Sequence, residues 1–377
     1  MTSIHSDPTS TFIEYLTATL NGLRDPNTLK TYGAQKAIGE ITYVTTQNGT
    51  TSDVLNVTVK LGYPCISHHS VIAAQLQAAC PEHPLNVTFT TQIQTHRVQT
   101  SAQAGLKPLP NVKNVIAIAS GKGGVGKSTT AVNVALALAK EGARVGILDA
   151  DIYGPSQPTM LGVSGKPEMI DDKTMRPITA HGLQVNSIGF MLDDNAPAMW
   201  RGPMVSSALQ QLFNQTGWDA LDYLIVDMPP GTGDIQLTLA QKIPVTAAVI
   251  VTTPQDIALI DARKGLRMFE KVGIPVLGVI ENMAHHICSQ CGHSEPIFGA
   301  EGGQRMASEY QVDYLGGLPL DIRIRQQTDS GTPTVIAEPN GDLTHIYQAI
   351  AIKIAAAVAL KPKDYASKMP SVTVESL

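Results

Sequence analysis

The chain has 377 residues, 43% of them hydrophobic, with 27 Lys and Arg against 32 Asp and Glu and a formal net charge of −5. That is enough for two domains with ordinary cores, and no basic arm or block of the kind that binds nucleic acid occurs. No run of about 18 apolar residues predicts a spanning helix, the polar start Met1–Ser10 lacks the pattern of a secretory signal, and four cysteines in this length form no disulfide framework, which fits a reducing, cytoplasmic compartment.

Residues 1–97 read as a small α+β domain. Helical spacing covers Thr11–Leu20, alternation predicts strands over Ile41–Thr46 and Val54–Leu61, a helix returns over Ser70–Ala79, and a strand follows at Leu85–Thr91. Residues 98–112 have the composition of a linker, with Ser101–Pro110 small, polar and Pro-containing. From residue 113 short apolar runs alternate with helical stretches. Strands are expected at Val115–Ala119, Val145–Leu148, Leu224–Val226, Ala247–Val251 and Val276–Ile280, and a helix at Ser128–Lys140. Over 113–360 this predicts an α/β fold, a mostly parallel sheet with helices on both faces and its ligands at the carboxyl ends of the strands. Residues 361–377 read as a loose polar tail.

Between the first strand and helix of that sheet stands Gly121-Lys122-Gly123-Gly124-Val125-Gly126-Lys127-Ser128, the pattern of a phosphate-binding P-loop in its proper context. Glycines let successive backbone N–H groups turn inward around phosphates, and the helix N-terminus adds its partial positive charge. Lys127 reaches the β and γ phosphates, and the Ser128 hydroxyl suits Mg2+. A Gly-rich turn with a chance lysine is the alternative, and the strand-then-helix context counts against it. Asp149 and Asp151 follow at a strand end. They point the same way if the strand continues, Asp149 helping to hold hydrated Mg2+ and Asp151 orienting the attacking water; the alternative is a pair of acids capping a turn. Tyr223–Asp227 is an apolar strand ending in an acid, the Walker B form, with Asp227 acting on Mg2+. Met228–Asp234, rich in Gly and Pro, suits a loop that senses the γ phosphate. Asn282 ends another strand, where its amide matches an adenine edge or closes a turn.

Cys288 and Cys291 form a Cys-x-x-Cys pair followed by Gly292. Two thiolates at this spacing can hold one metal centre from a tight turn. Three readings stand. A structural zinc site needs four ligands and would draw on His285, His286 or His293. A thioredoxin-like redox pair needs a helix N-terminus. Two cysteines from each of two chains would supply the four thiolates of a [4Fe–4S] cluster. Cys65 and Cys80 read as buried small residues.

Lys122, after the first glycine, resembles the extra lysine of the deviant Walker A loop of MinD, ParA and nitrogenase iron-protein ATPases. In that class it reaches across a nucleotide-sandwich dimer to the partner's phosphates, so the resemblance implies a homodimer with ATP at its interface. Residues 113 to about 358 further resemble the Mrp/ApbC-type iron–sulfur cluster carriers, on Gly121–Thr129, Asp149–Ser156, Asp227–Asp234, Glu281–Met283, Cys288–Cys291 and Leu318–Asp321. Asp-Ile-Tyr-Gly-Pro-Ser and the downstream Cys-x-x-Cys separate this family from MinD and ParA.

The resemblance implies a slow ATPase that binds ATP through Gly121, Lys122, Gly123, Gly124, Val125, Gly126, Lys127, Ser128 and Thr129, with Asn282 on the adenine. It implies Mg2+ at Ser128, Asp149 and Asp227, and catalysis by Lys122, Lys127 and Asp151. It implies a [4Fe–4S] cluster held across the homodimer by Cys288 and Cys291 and passed to apo-proteins. Cluster scaffold proteins and apo iron–sulfur clients are then the partners, without nucleic acid or membrane. Leu23–Pro26 and Tyr63–Cys65 resemble the motifs of a small domain of iron–sulfur assembly factors, with Ile66 standing where that family usually has a second proline. The alternatives are a positioning or partitioning ATPase, a P-loop ATPase with structural zinc, and an electron-transfer reductase.

Overall fold

A computed structural model describes residues 8–45, 51–96, 106, 108–191, 202–288 and 290–363. Most of the expected linker, the end of the expected tail from residue 364, and Thr46 lie outside these. The chain divides into two compact units, one running to Ile93 and taking in Ala355–Leu360, the other running from Gln94 to Ile354.

In the first unit, α1 (Pro8–Gly22), α2 (Tyr32–Gln35) and α3 (His69–Ala78) accompany β1 (Ile38–Thr45), β2 (Thr51–Leu61) and β3 (Leu85–Thr91). The central β2 is antiparallel to β1 and parallel to β3. Its alternate residues Leu55, Val57, Val59 and Leu61 are all buried, as one face of a pleated strand requires. The two short motifs of this unit meet in space. The Tyr63 hydroxyl donates to the Asp25 carboxylate at 2.7 Å, and Asp25 also accepts from the Thr28 hydroxyl and the Asn27 N–H, each at 2.9 Å. A fully buried carboxylate is tolerated because it is hydrogen-bonded from several sides. Cys65 and Cys80 are buried, as expected.

The second unit opens with β4 (Val112–Ala119), α4 (Lys127–Lys140), β5 (Val145–Asp149), α5 (Gln157–Met160), β6 (Ile178–Ala180), β7 (Leu183–Ser187) and α6 (Gly202–Gln215). It continues with β8 (Leu221–Asp227), α7 (Asp234–Lys242), β9 (Ala247–Thr252), α8 (Asp256–Lys271), β10 (Val276–Glu281), β11 (His286–Ile287) and β12 (Ser294–Glu295). It closes with α9 (Gly302–Glu309), β13 (Asp313–Gly317), α10 (Ile322–Asp329), α11 (Thr334–Ala337) and the part of α12 (Asp342–Ala359) that runs to Ile354. Eight strands form one sheet in the order β13-β10-β9-β4-β8-β5-β7-β6. Every pairing is parallel except that of β6 with β7. Each residue of β8 and β9 is buried, which explains the apolar stretches Tyr223–Val226 and Ala247–Val251: helices cover both faces.

The strand order places the site. The chain leaves β4 for β5 and only later inserts β8 between them, so the carboxyl ends of these three strands are neighbours. Ile118 pairs with Asp227, and Asp227 with Asp149. The loops that follow the three strands therefore converge, as ligand sites in open α/β sheets require. Among the described residues, no helix is long and apolar enough to cross a membrane.

Candidate functional site

At this convergence lies a cavity of about 220 Å3, lined by Lys122, Gly123, Gly124, Gly126, Lys127, Ser128 and Thr129, with Asp151, Ser156 and Pro230 facing them. Gly124 and Gly126 have φ of +82° and +80°, a region glycine enters without the steric cost of a Cβ. Gly121 is required for a different reason: a Cβ there would lie 2.0 Å from the Asp261 carbonyl carbon on α8. Gly121→Ala is therefore expected to displace the loop and lower ATP turnover about 100-fold, the scale of a misplacement of about 1 Å; a phosphate-release assay at saturating ATP checks this.

Lys127 is buried, and its ammonium is the cation of a carboxylate cluster. It forms an ion pair with the fully buried Asp227, stands 3.8 Å from Asp151 Oδ2, and donates to the Ser128 hydroxyl at 3.0 Å. The strand β5 stops at Asp149, so Asp149 and Asp151 do not project from one continuous strand. Instead Asp149 organises the turn. Its Oδ1 accepts from the Asp151 N–H at 3.1 Å, and its Oδ2 from the N–H groups of Ser156 and Gln157 and from the Ser187 hydroxyl, at 2.9, 3.0 and 3.0 Å. Asp151, carried by that turn to the cavity, has an Oδ1 with no hydrogen-bond partner among the described residues. Burial pushes the Asp149 carboxyl above the usual carboxylate range, and the neighbouring Asp227 charge adds to this. Burial raises Asp151 as well, with Lys127 acting against it.

The loop after β8 is tied to the phosphate loop: the Gly231 N–H donates to the Ser120 carbonyl at 3.0 Å, and the Ser120 hydroxyl donates to the Lys122 carbonyl at 2.9 Å. Asn282 supports the same loop, its Nδ2 donating to the Val125 carbonyl at 2.9 Å. A Cβ on Gly126 would come within 2.1 Å of that nitrogen, so the contact itself requires the glycine. The structure thus places Asn282 against the phosphate loop, outside the residues lining the cavity. Sequence reasoning missed Ser187 and Gln157. Gln157 is fully buried, and its Nε2 donates to Asp227 Oδ2 at 2.9 Å and to the Ser128 carbonyl at 3.1 Å. The one signal available was its place next to Asp-Ile-Tyr-Gly-Pro-Ser.

The cysteine pair sits at the tip of a separate hairpin. His286 pairs with Glu295 and Ile287 with Ser294. The Cys288 N–H donates to the His293 carbonyl at 2.8 Å, the Gly292 N–H donates to the Cys288 carbonyl at 2.9 Å, and Gly292 has φ of +72°. Cys288 is half-buried and Cys291 exposed. Backbone N–H groups of Gln290 and Cys291 hold the Cys288 thiol below the usual thiol range. Among the described residues no helix begins at this pair, which differs from the helix N-terminus of a thioredoxin-like site. Among the described residues, no group of three or more His, Cys, Asp or Glu side chains is gathered as a metal site. A short pulse of iodoacetamide at neutral pH is expected to label Cys288 and Cys291 while sparing Cys65 and Cys80, read by peptide mass spectrometry.

The converging loops define the class: a P-loop nucleoside triphosphatase, with Lys122 at the place of the extra lysine of the deviant form. Residues 111–355 match the ParA-group family described as NUBPL iron-transfer P-loop NTPase, and the chain belongs to that family. It is 64% identical over 253 residues to an iron-sulfur cluster carrier protein of Pseudomonas fragi, across 67% of this chain and 88% of that one. It is 54% identical over 303 residues to the Escherichia coli K12 protein of the same name, across 79% and 82% of the two chains. Its identity to the iron-sulfur cluster transfer protein NUBPL of Mus musculus is 49% over 259 residues, 68% and 81% of the chains. A solved nucleotide-binding protein of Archaeoglobus fulgidus, in complex with ADP, has a TM-score of 0.54 at 35% identity, over 62% of this chain and 91% of that one.

Proposed function

We propose that this protein is an ATP-hydrolysing carrier that takes up an iron–sulfur cluster on Cys288 and Cys291 and passes it to apo-proteins. The observation that carries the proposal is a thiol pair, Cys288 half-buried and Cys291 exposed, at the tip of a hairpin in a chain built around a P-loop. The names of the relatives support the same cargo. A [4Fe–4S] cluster takes four thiolates and one chain offers two here, so a two-fold homodimer completes the set. Lys122 fits the same dimer, reaching the partner copy's phosphates. Scaffold proteins load the cluster, apo iron–sulfur proteins receive it, and the exchange takes place in the cytoplasm. Residues 1–97 form an accessory domain like those of iron–sulfur assembly factors, joined through 98–112 to the ATPase domain at 113–360, with a tail at 361–377.

In the nucleotide site, the N–H groups of Gly121–Thr129 and the α4 N-terminus receive the phosphates. Lys127 gives up Asp227 and Asp151 to reach the β and γ oxygens. Asn282, already fixed against Val125, lies towards the adenine. Mg2+ fits the hard oxygen donors gathered here: the Ser128 hydroxyl and the Asp227 carboxylate, with Asp149 behind them. When bound it neutralises charge on the β and γ oxygens. Asp151, which lines the cavity, accepts a hydrogen bond from a water and aims it at the γ phosphate. Contacts of Asp151 and of Gly231–Asp234 with that phosphate then change the dimer angle and open or close the shared cysteine site. The test follows an apo [4Fe–4S] enzyme regaining activity beside the cluster-loaded protein with ATP, with ADP and with no nucleotide. Recovery at different rates is expected; identical rates in all three would remove the coupling, and no recovery would remove the transfer.

A further inference from the structure

One residue, Gln157, touches all three elements on the magnesium side of the nucleotide site. Its N–H donates to Asp149 Oδ2 at 3.0 Å, and its Nε2 donates both to Asp227 Oδ2 at 2.9 Å and to the Ser128 carbonyl at 3.1 Å. Its side chain is fully buried, and its Oε1 has no hydrogen-bond partner among the described residues. An amide that leaves a buried oxygen unpartnered is unfavourable as mere filling, where an apolar side chain of equal size would serve better. What the amide offers and an apolar chain does not is its pair of N–H donors, and both are spent on the groups that flank the phosphates.

Asp227 is held from two sides. Lys127 pairs with its Oδ1, and Gln157 donates to its Oδ2. The first anchor is temporary, because Lys127 turns to the phosphates when nucleotide enters. We propose that Gln157 is a positioning residue for the magnesium–nucleotide complex: it keeps the Asp227 carboxylate clamped to the first turn of α4, through Ser128, after Lys127 has left. This rests on Ser128 and Asp227 as the magnesium residues. Carboxylates around a metal are themselves held by hydrogen bonds, and losing such a partner costs about 10- to 100-fold in metal affinity.

The test titrates N-methylanthraniloyl-ADP into wild type, Gln157→Leu and Gln157→Met, once with Mg2+ and once with EDTA. The EDTA affinity serves as the check on folding. Wild type is expected to bind more tightly with Mg2+. Both variants are expected to lose about 10- to 100-fold of that magnesium-dependent gain, and to need correspondingly more Mg2+ for half-maximal ATP hydrolysis. An undiminished gain, an equal loss with and without metal, or no binding even in EDTA would each overturn the role. A wild type showing no gain at all would instead remove the magnesium reading on which it rests.

Discussion

Lys127→Ala is expected to hydrolyse no ATP above the buffer background and to be markedly less stable than the wild type. Both effects follow from where the ammonium sits. Its side chain is 6% exposed and its partner Asp227 is fully buried, so the pair is shielded from water. Removing one member of such a pair strands the other charge at a cost of about 3–5 kcal/mol. The loss has a signed pH dependence. Burial already raises the carboxyls of Asp149 and Asp151, and the Lys127 charge opposes that rise at Asp151. Without Lys127 the folded protein holds protons that the unfolded chain releases. The stability of the variant is therefore retained below the ordinary carboxylate range and lost as pH rises through the raised values. Urea midpoints measured from about pH 5 to about pH 8 should show the gap from wild type widening with pH. A constant gap would mean that the carboxylate cluster does not depend on this cation.

Asp151→Ala separates binding from chemistry. Asp151 lines the cavity but supports little of it: the Lys127–Asp227 pair, the Asp149 turn and the Gln157 clamp do not depend on its carboxylate. Removing one negative charge beside the phosphates also lessens repulsion. ATP binding should therefore stay near the wild-type level while turnover falls about 10²- to 10⁴-fold, the worth of a positioned proton acceptor. Parallel binding and phosphate-release assays check both halves. Wild-type-like hydrolysis would remove Asp151 from the mechanism.

The parts of this fold that were legible are those with a local pattern. The strands β4, β8 and β9 stand out because burial on both faces gives each an apolar stretch, Val115–Ala119, Tyr223–Val226 and Ala247–Val251. The phosphate loop stands out because backbone with positive φ at Gly124 and Gly126 admits glycine most readily. Short elements leave no such trace. The helix α2 spans four residues and starts from a Thr31 cap, β6 has three residues, and β13 ends in Gly316 and Gly317. The site's internal wiring was equally hidden, because it joins residues far apart in the chain. Ser187 reaches Asp149 across 38 positions, Gln157 reaches Asp227 across 70, and Asn282 reaches Val125 across 157. Spacing alone suggested that Asp149 and Asp151 project together. The early end of β5 makes Asp149 the organiser of the turn and leaves Asp151 for the turn to carry to the cavity. In the cysteine hairpin the Cys-x-x-Cys spacing was visible, whereas the antiparallel pairing of His286 with Glu295 that presents it is too short to show as alternation.

The most direct test reconstitutes the protein anaerobically with iron and sulfide and compares wild type with a Cys288→Ser, Cys291→Ser double variant, reading bound iron, bound sulfide and the mass of the assembly. Wild type is expected to hold about four iron per two chains as a dimer, and the double variant little. Zinc alone in the wild type, or an iron content unchanged by the double substitution, would contradict the cluster-carrier reading.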